Sequence, residues 1–416
     1  MKRQLINYHW VGMLLLFPLL MSCASKSAIT PQDNATRHWT GTWATAVEKP
    51  GQGDMPKASL SNRSLRQVIH ISIGGDTMRL RLSNVQSKSP VSIKSVYIAD
   101  ATYTHHIDGA TATYLTFDHQ RDVTIAPGQE VVSDILNYRL RPQQLLAVTI
   151  NYGDETPAEA SCHRGSRTTS YIISGESDPA TSFEGAEEAV HWYNIASIDV
   201  LDEGMTAIAI LGNSITDGRG STTDAQDRWT DFFAKELSKD PATAHIGVLN
   251  LGIGGNCVVR GGLSEPGVVR FDRDILGQTG LSAIIIFEGV NDIGSHSNQP
   301  ETYDQLIQAY QELIRKGHAA GLKVYGATIT PFKNSFYYNE TSEAMRKRVN
   351  AWIRQAGNNQ NSSIVTFDGC IDFDAAVRDS GDPDALRQDL QDDWLHLNPA
   401  GYAVLGKTAA DYFQRK

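Results

Sequence analysis

Two rhythms of apolar and polar positions divide the chain near residue 205. In the first half, apolar residues alternate singly with polar ones. Ile69, Ile71 and Ile73 do so before Gly74-Gly75-Asp76, and Met78, Leu80 and Leu82 interleave with Arg79 and Arg81 after it. Period-two alternation belongs to a strand with one buried face, so this stretch predicts a hairpin with one wet face. Short strands are further predicted at residues 91–99, 111–117, 123–125 and 145–151, with turn clusters such as Ala126-Pro127-Gly128 between them. Many short strands with frequent turns argue for a β-sandwich resembling a jelly roll. Residues 174–188 are acidic, small and aperiodic, and read as a loop; a last strand at 190–200 leads into a linker at 201–205.

After residue 205 the runs become continuously apolar and alternate with amphipathic stretches. The apolar runs are 207–211, 246–251, 283–287, 324–329 and 364–367; the helical stretches are 228–239, 302–320, 343–357 and 399–414. Strands apolar on both faces, alternating with helices, predict an α/β domain whose parallel sheet is covered on both sides. Functional groups of such sheets lie beyond the carboxyl ends of the strands.

The extreme N-terminus reads as a targeting segment. Lys2 and Arg3 precede a short apolar stretch, residues 11–20, interrupted by Pro18 and ending in Leu20-Met21-Ser22-Cys23. That ending resembles a bacterial lipobox, in which the cysteine carries lipid. Residues 1–23 are then a signal peptide, 24–37 a polar tether, 38–200 a β-sandwich domain and 206–416 an α/β domain. The resemblance implies an exported protein held to a membrane through lipid on Cys23. With no Asp after Cys23, the expected destination is the outer membrane, on its periplasmic or its outer side. Cys162, Cys257 and Cys370 remain; without CxxC spacing they suggest no zinc or redox site, and a Cys257–Cys370 bridge stays open beside three buried thiols. The formal net charge of −10, with no basic run beyond the N-terminus, argues against a nucleic-acid partner.

Four blocks carry candidate chemistry: Gly212-Asn213-Ser214-Ile215-Thr216-Asp217, Asn250-Leu251-Gly252-Ile253-Gly254-Gly255-Asn256, Gly289-Val290-Asn291-Asp292 and Asp393-Trp394-Leu395-His396. The first three follow the first three apolar runs, and the fourth precedes the last helix. A serine hydroxyl needs a base to become a nucleophile, and His396 can serve Ser214. The imidazole needs a carboxylate on its other nitrogen, which Asp393, or its neighbour Asp392, can supply. A tetrahedral oxyanion needs preorganised donors, for which the Gly255 and Ser214 backbone N–H groups and the Asn291 side-chain amide are candidates. Asp217 reads as a local hydrogen-bonding residue. Phe332, Phe336, Tyr337 and Tyr338 follow the fourth run, at the rim of such a site. Phe336, Tyr337 and Tyr338 can offer a platform to a sugar or aryl ring, or pack on the neighbouring helix. The carboxylates of 368–393 lack EF-hand spacing, and His105-His106 read as surface residues. No GxSxG, HExxH or Walker A pattern occurs, and no cofactor or metal is implied.

The ordered blocks resemble those of the SGNH (GDSL) hydrolase family. The resemblance spans roughly 206–416 and implies a flavodoxin-like three-layer domain with Ser214 as nucleophile, Gly255 and Asn291 in the oxyanion hole, and Asp393 and His396 completing a triad. With Trp39-Thr40-Gly41-Thr42-Trp43, Phe271-Asp272-Arg273-Asp274 and Gly326-Ala327-Thr328-Ile329-Thr330-Pro331, the whole chain is similar to the arylesterase and acylhydrolase branch associated with xylan-degrading gut bacteria. It departs from the pattern at Asn213, where the family usually has Asp, and at Leu397, where Pro is common. The expectation is a serine esterase acting on acetyl or other small acyl esters of plant-type polysaccharides or oligosaccharides. The alternatives are a lipid or aryl-ester acylhydrolase and, in a different class, a glycan-binding surface protein with an inactive hydrolase domain.

Overall fold

The β-rich half folds as two antiparallel sheets facing each other across one apolar core. One sheet has the order Arg37–Ala44, Ile195–Glu203, Gly75–Ser83, Glu130–Val132, with Leu136–Leu140 also paired to Gly75–Ser83. The other runs Glu187–Ala189, Ser170–Ser174, Arg63–His70, Leu145–Tyr152, Val91–Tyr103, His106–Ile107. Ile69, Leu80, Leu82, Ile98, Ile150, Ile198 and Val200 fill the space between them. This computed structural model describes residues 37–356 and 365–415; the signal segment with Cys23 and the tether to residue 36 lie outside the described residues.

The predicted hairpin does not form. Arg63–His70 and Gly75–Ser83 belong to different sheets, and the chain crosses between them at residues 71–74. There the Ile71 N–H donates to Gln144 O at the second sheet, and the Ser72 N–H donates to Thr42 O at the first. Alternation specifies which face is buried but not the partner, so a crossover and a hairpin read alike. The wet face survives only in the second strand, where Arg79 and Arg81 stay partly exposed between buried Met78, Leu80 and Leu82; in the first, every residue from Ser64 to Ile69 is buried. Phe183, from the predicted loop, covers this strand with its ring 3.9 Å from the Arg66 guanidinium.

In the second half the strands are β1 (Thr206–Gly212), β2 (Ile246–Gly252), β3 (Leu281–Phe287), β4 (Lys323–Ala327) and β5 (Gly369–Ile371). They form one parallel sheet in the order β2-β1-β3-β4-β5, the flavodoxin-like arrangement. The helices are α1 (Ser214–Asp217), α2 (Trp229–Leu237), α3 (Gly267–Phe271), α4 (Val290–His296), α5 (Thr302–Ala319), α6 (Glu340–Ala356), α7 (Phe373–Val377) and α8 (Pro399–Gln414). The fifth strand lies later than the apolar run at 364–367 predicts. Phe367 instead packs over Gly326 of β4, and the Asp368 N–H and carboxylate bind Val324 before β5 begins. The short helices α1, α3, α4 and α7 carry too few turns to show a period.

No free linker separates the halves. The strand Ile195–Glu203 runs through most of the predicted linker, and only Gly204 and Met205 precede β1. Residues 37–416 form one compact unit. Gly41 N–H donates to Thr279 O (2.9 Å), the Val248 N–H to Ser72 Oγ (3.1 Å), and His70 Nδ1 meets Asp231 Oδ1 (3.0 Å) across the boundary.

Candidate active site

The order reversal in the sheet falls between β1 and β3, the place where a crevice opens in such folds. Ser214 sits immediately after β1 as the first residue of α1. Asn213 caps that turn, its Oδ1 accepting the Ile215 N–H at 3.0 Å. Ser214 is buried, and its Oγ lies 2.8 Å from His396 Nε2. His396 Nδ1 is 2.8 Å and 3.0 Å from the two carboxylate oxygens of Asp393. Facing a carboxylate, Nδ1 carries the ring proton, which leaves Nε2 as the acceptor for the Ser214 hydroxyl.

Asp393 reaches the ring because the loop turns back on itself. Trp394 is left-handed (φ 66°), and the Asp393 carboxylate also accepts the Leu395 N–H (3.1 Å) and the His396 N–H (2.8 Å). Burial alone raises this carboxyl, but the imidazole and these N–H groups outweigh it and hold it well below the usual carboxylate range. Asp392 contributes its backbone N–H to His396 O, and its side chain is not part of the line. Leu397, at the position where proline is common, is buried. Asn398 then caps α8 by accepting the Gly401 N–H.

The remaining candidate donors are those of Ser214, Gly255 and Asn291, and one hydrogen bond ties Asn291 to the Gly255 loop. The N–H groups of Ser214 and Gly255 have no acceptor among the described residues. Gly255 takes φ 68°, a conformation that disfavours any side chain and turns the chain after β2. Asn291, in the first turn of α4, donates through Nδ2 to Asn256 O (2.7 Å), and its Oδ1 accepts from Tyr337 Oη–H (3.0 Å). Those two partners fix the amide with its nitrogen toward the Gly255 loop, and its second amide hydrogen is not used by either.

Buried charge holds this side together. Arg270 of α3 is fully buried and donates to Gly212 O (3.1 Å), Leu251 O (2.9 Å), Asn256 Oδ1 (2.9 Å) and Asp274 Oδ2 (3.3 Å). It thereby ties the ends of β1 and β2 to the Gly255 loop. Asp292 accepts the Val258 and Val259 N–H groups (2.8 and 3.0 Å); burial pushes its carboxyl up to about 6 against those bonds. Glu288 is also buried. Its Oε2 accepts from Asn213 Nδ2 (3.1 Å) and from the Gly289 N–H (3.1 Å), while Oε1 has no partner among the described residues. Burial, opposed by Arg270 and reinforced by Asp292, pushes it up to about 8. Asn at 213 fits here because its amide donates to Glu288, where an Asp would set two carboxyls face to face.

The aromatic residues after β4 separate in role. Phe332 is buried and Phe336 is 78% exposed. Tyr337 is half-buried against Gly294 of α4 and engages Asn291; Tyr338 is half-buried against the core. Cys162, Cys257 and Cys370 are free thiols, so the Cys257–Cys370 bridge does not form. Burial pushes all three upward, Cys370 to about 12. Among the described residues, no group of three His, Cys, Asp or Glu side chains is placed to hold a metal ion, and no helix is long and apolar enough to cross a membrane. The sequence alone assigns no role to Arg270, Glu288 or Asp292. The one signal for them was adjacency, since Arg270 precedes the Phe271-Asp272-Arg273-Asp274 motif and Asp292 follows Asn291.

Residues 210–404 match the family described as GDSL-like Lipase/Acylhydrolase. No curated protein matches the chain. Similar solved structures include a GDSL-like lipase from Bacteroides thetaiotaomicron (15% identity, 50% of this chain and 88% of that one, TM-score 0.37). An acetyl xylan esterase is 19% identical over 50% of this chain and 98% of its own, with TM-score 0.38. The psychrotrophic esterase EstA of Pseudoalteromonas sp. is 17% identical over 50% and 97%, with TM-score 0.37. By the match over residues 210–404, that segment is a domain of the GDSL-like lipase/acylhydrolase family, which makes the chain a carboxylic ester hydrolase.

Proposed function

We propose that the protein is a serine esterase that removes acetyl or other small acyl groups from plant-type polysaccharides or their oligosaccharides. The observation that carries the serine-esterase reading is the line from Ser214 Oγ to His396 Nε2 (2.8 Å) and from Nδ1 to Asp393 (2.8 Å); the choice of polysaccharide esters is supported by the family resemblance of the sequence. Ser214 Oγ attacks the ester carbonyl while His396 takes its proton. The carbonyl oxygen, now negative, is received by the Ser214 and Gly255 N–H groups and Asn291 Nδ2. His396 then protonates the leaving alcohol, and the acyl group stays on Ser214. Water, deprotonated by His396, releases the acid and restores the hydroxyl. Asp393 keeps the imidazole in the required tautomer and stabilises it while charged.

Two exposed apolar side chains favour a second substrate reading, an aryl or lipid ester. Leu263 is 69% exposed and lies against Gly255, and Phe336 packs at a tilt against Tyr337 with ring centroids 4.3 Å apart. Acetate release from acetylated xylan, acetylated pectin and a simple aryl acetate decides between them. Ser214→Ala serves as the control and should lose at least about three orders of magnitude of turnover. Serine-dependent release from one polysaccharide supports the carbohydrate reading, and hydrolysis of the aryl ester alone favours the second. Near-wild-type activity in Ser214→Ala would remove the assignment of Ser214, and a wild type that hydrolyses none of the three esters would favour a glycan-binding protein. Export and lipid attachment at Cys23 are part of the proposal, supported by the Leu20-Met21-Ser22-Cys23 ending. Cys23→Ala should then shift the protein from the membrane fraction to the soluble one.

A further inference from the structure

The β-rich half reaches into the back of this site. Its segment from His163 to Arg167 lies against α1, a helix of a single turn. A helix that short has no stability of its own and takes its position from its surroundings. Ser214 begins the turn and Asp217 ends it. Asp217 is buried, and a buried carboxylate is costly unless both oxygens are satisfied. His163 Nε2 lies 2.8 Å from Asp217 Oδ1, and Arg167 Nη2 lies 2.8 Å from Oδ2. Among the described residues, no side chain of the hydrolase half bonds that carboxylate.

The other contacts of the segment point the same way. His163 Nδ1 lies 2.9 Å from Ala46 O, a carbonyl that only accepts, so both ring nitrogens face acceptors. The imidazole is thereby held as a cation, stacked on Trp192 with centroids 5.7 Å apart. Burial opposes that charge, and Asp217, with Glu48 behind it, raises the imidazole above its ordinary value. Gly165 passes so close that a Cβ there would run into the Asp217 carboxylate. Arg164 reaches the other side of the site. It pairs with buried Glu48 (2.5 Å) and donates to Ser264 Oγ (2.9 Å), which is also bonded to Glu48. Ser264 follows Leu263, whose N–H donates to Gly255 O (3.3 Å).

We propose that His163 and Arg167 of the β-rich half are positioning residues for Ser214, acting through Asp217 to fix the turn that carries the reacting hydroxyl. The proposal rests on the reading of Ser214 as nucleophile. A displacement of about 1 Å at a reacting group is enough to cost about 10²-fold in rate, so a grip on the far end of a one-turn helix is felt at the hydroxyl. The β-rich half then contributes to catalysis without touching substrate.

The test uses the full chain and two readouts of the serine: turnover of an aryl acetate, and the rate at which an alkyl fluorophosphonate labels Ser214. His163→Gln and Arg167→Met should each lower kcat and the labelling rate together by about 10–100-fold, with KM little changed. Arg167→Lys should recover most of the loss. The double variant His163→Gln/Asp217→Asn removes the buried charge from both partners. It should fold and lose no more rate than the worse single variant, as expected for two residues acting through one contact. Folded His163→Gln and Arg167→Met proteins with wild-type kcat and labelling rate overturn the proposal. So does a double variant whose losses multiply. Failure of the wild type to label at Ser214 overturns the nucleophile reading itself, and this proposal with it.

Discussion

On the side of Ser214 that faces His396, the pairing of base and carboxylate is local. Asp393 and His396 are three residues apart, one left-handed residue between them turns the loop, and the Asp393 side chain remains 38% exposed. On the side that faces Gly255 and Asn291, almost nothing is. Asn256, Arg270 and the pair Glu288 and Asp292 come from three segments, and all are nearly or fully buried. Water can compensate a charge on the first side, whereas each charge on the second depends on a partner from elsewhere in the chain. Loss of one group should therefore cost rate on the first side and stability on the second.

The largest effect expected is that of His396→Ala, which should lower kcat by at least about three orders of magnitude. The Asp393 left behind can be hydrated, so the thermal midpoint should stay close to that of the wild type. Arg270→Met is its counterpart. It leaves the ends of β1 and β2 and the Asn256 side chain without their donor, and should cost about 3–5 kcal/mol of stability, read from denaturant unfolding. If His396→Ala were the strongly destabilised protein and Arg270→Met the stable one, the contrast between the two sides would collapse.

Asn291→Ala comes next, because it removes a donor without removing a charge. A loss of about 10²–10³-fold in kcat is expected when one donor to an oxyanion is deleted. A change confined to KM would instead place Asn291 against the ground-state substrate.

The same contrast decides what the sequence made legible. The ends of β1, β2 and β3, the helix spans with several turns and the four motifs could be read because local pattern sets them. Asp393 was readable beside His396 because three residues of chain bring them together. Arg270 and Glu288 lie in stretches whose pattern is that of any strand end or short helix, and their roles exist only once β1, β2 and β3 are assembled. His163 and Asp217 are 54 positions apart and belong to different halves. The crossing at residues 71–74 was misread for a related reason: alternation reports a buried face, and the identity of the pairing strand is a non-local fact. The linker at 201–205 failed likewise, since its polar residues continue a strand whose partner is Arg37–Ala44.

The smallest effect at neutral pH is a slope that buried charge should impose on stability. Glu288 is pushed up to about 8 in the folded protein, from an ordinary value of 4.5. Below that ordinary value both folded and unfolded chains hold the proton, and the group's contribution is fully present. Between about 4.5 and 8 the unfolded chain releases the proton while the folded one keeps it, so stability falls as pH rises and levels off above the folded value. Asp292, pushed up to about 6, adds a fall of its own at the lower end of that range. Asp393, held low by His396, acts in the opposite direction but at more acid pH, outside this window. Glu288→Gln removes the first contribution and leaves the others in place. Thermal midpoints measured from pH 5 to about 8.5 should decline less steeply in Glu288→Gln than in the wild type, whatever the absolute offset between them. Parallel curves would mean that Glu288 is ionised throughout. The Asn213 amide would then be holding a carboxylate beneath Ser214, and the buried side would be as well compensated as the exposed one.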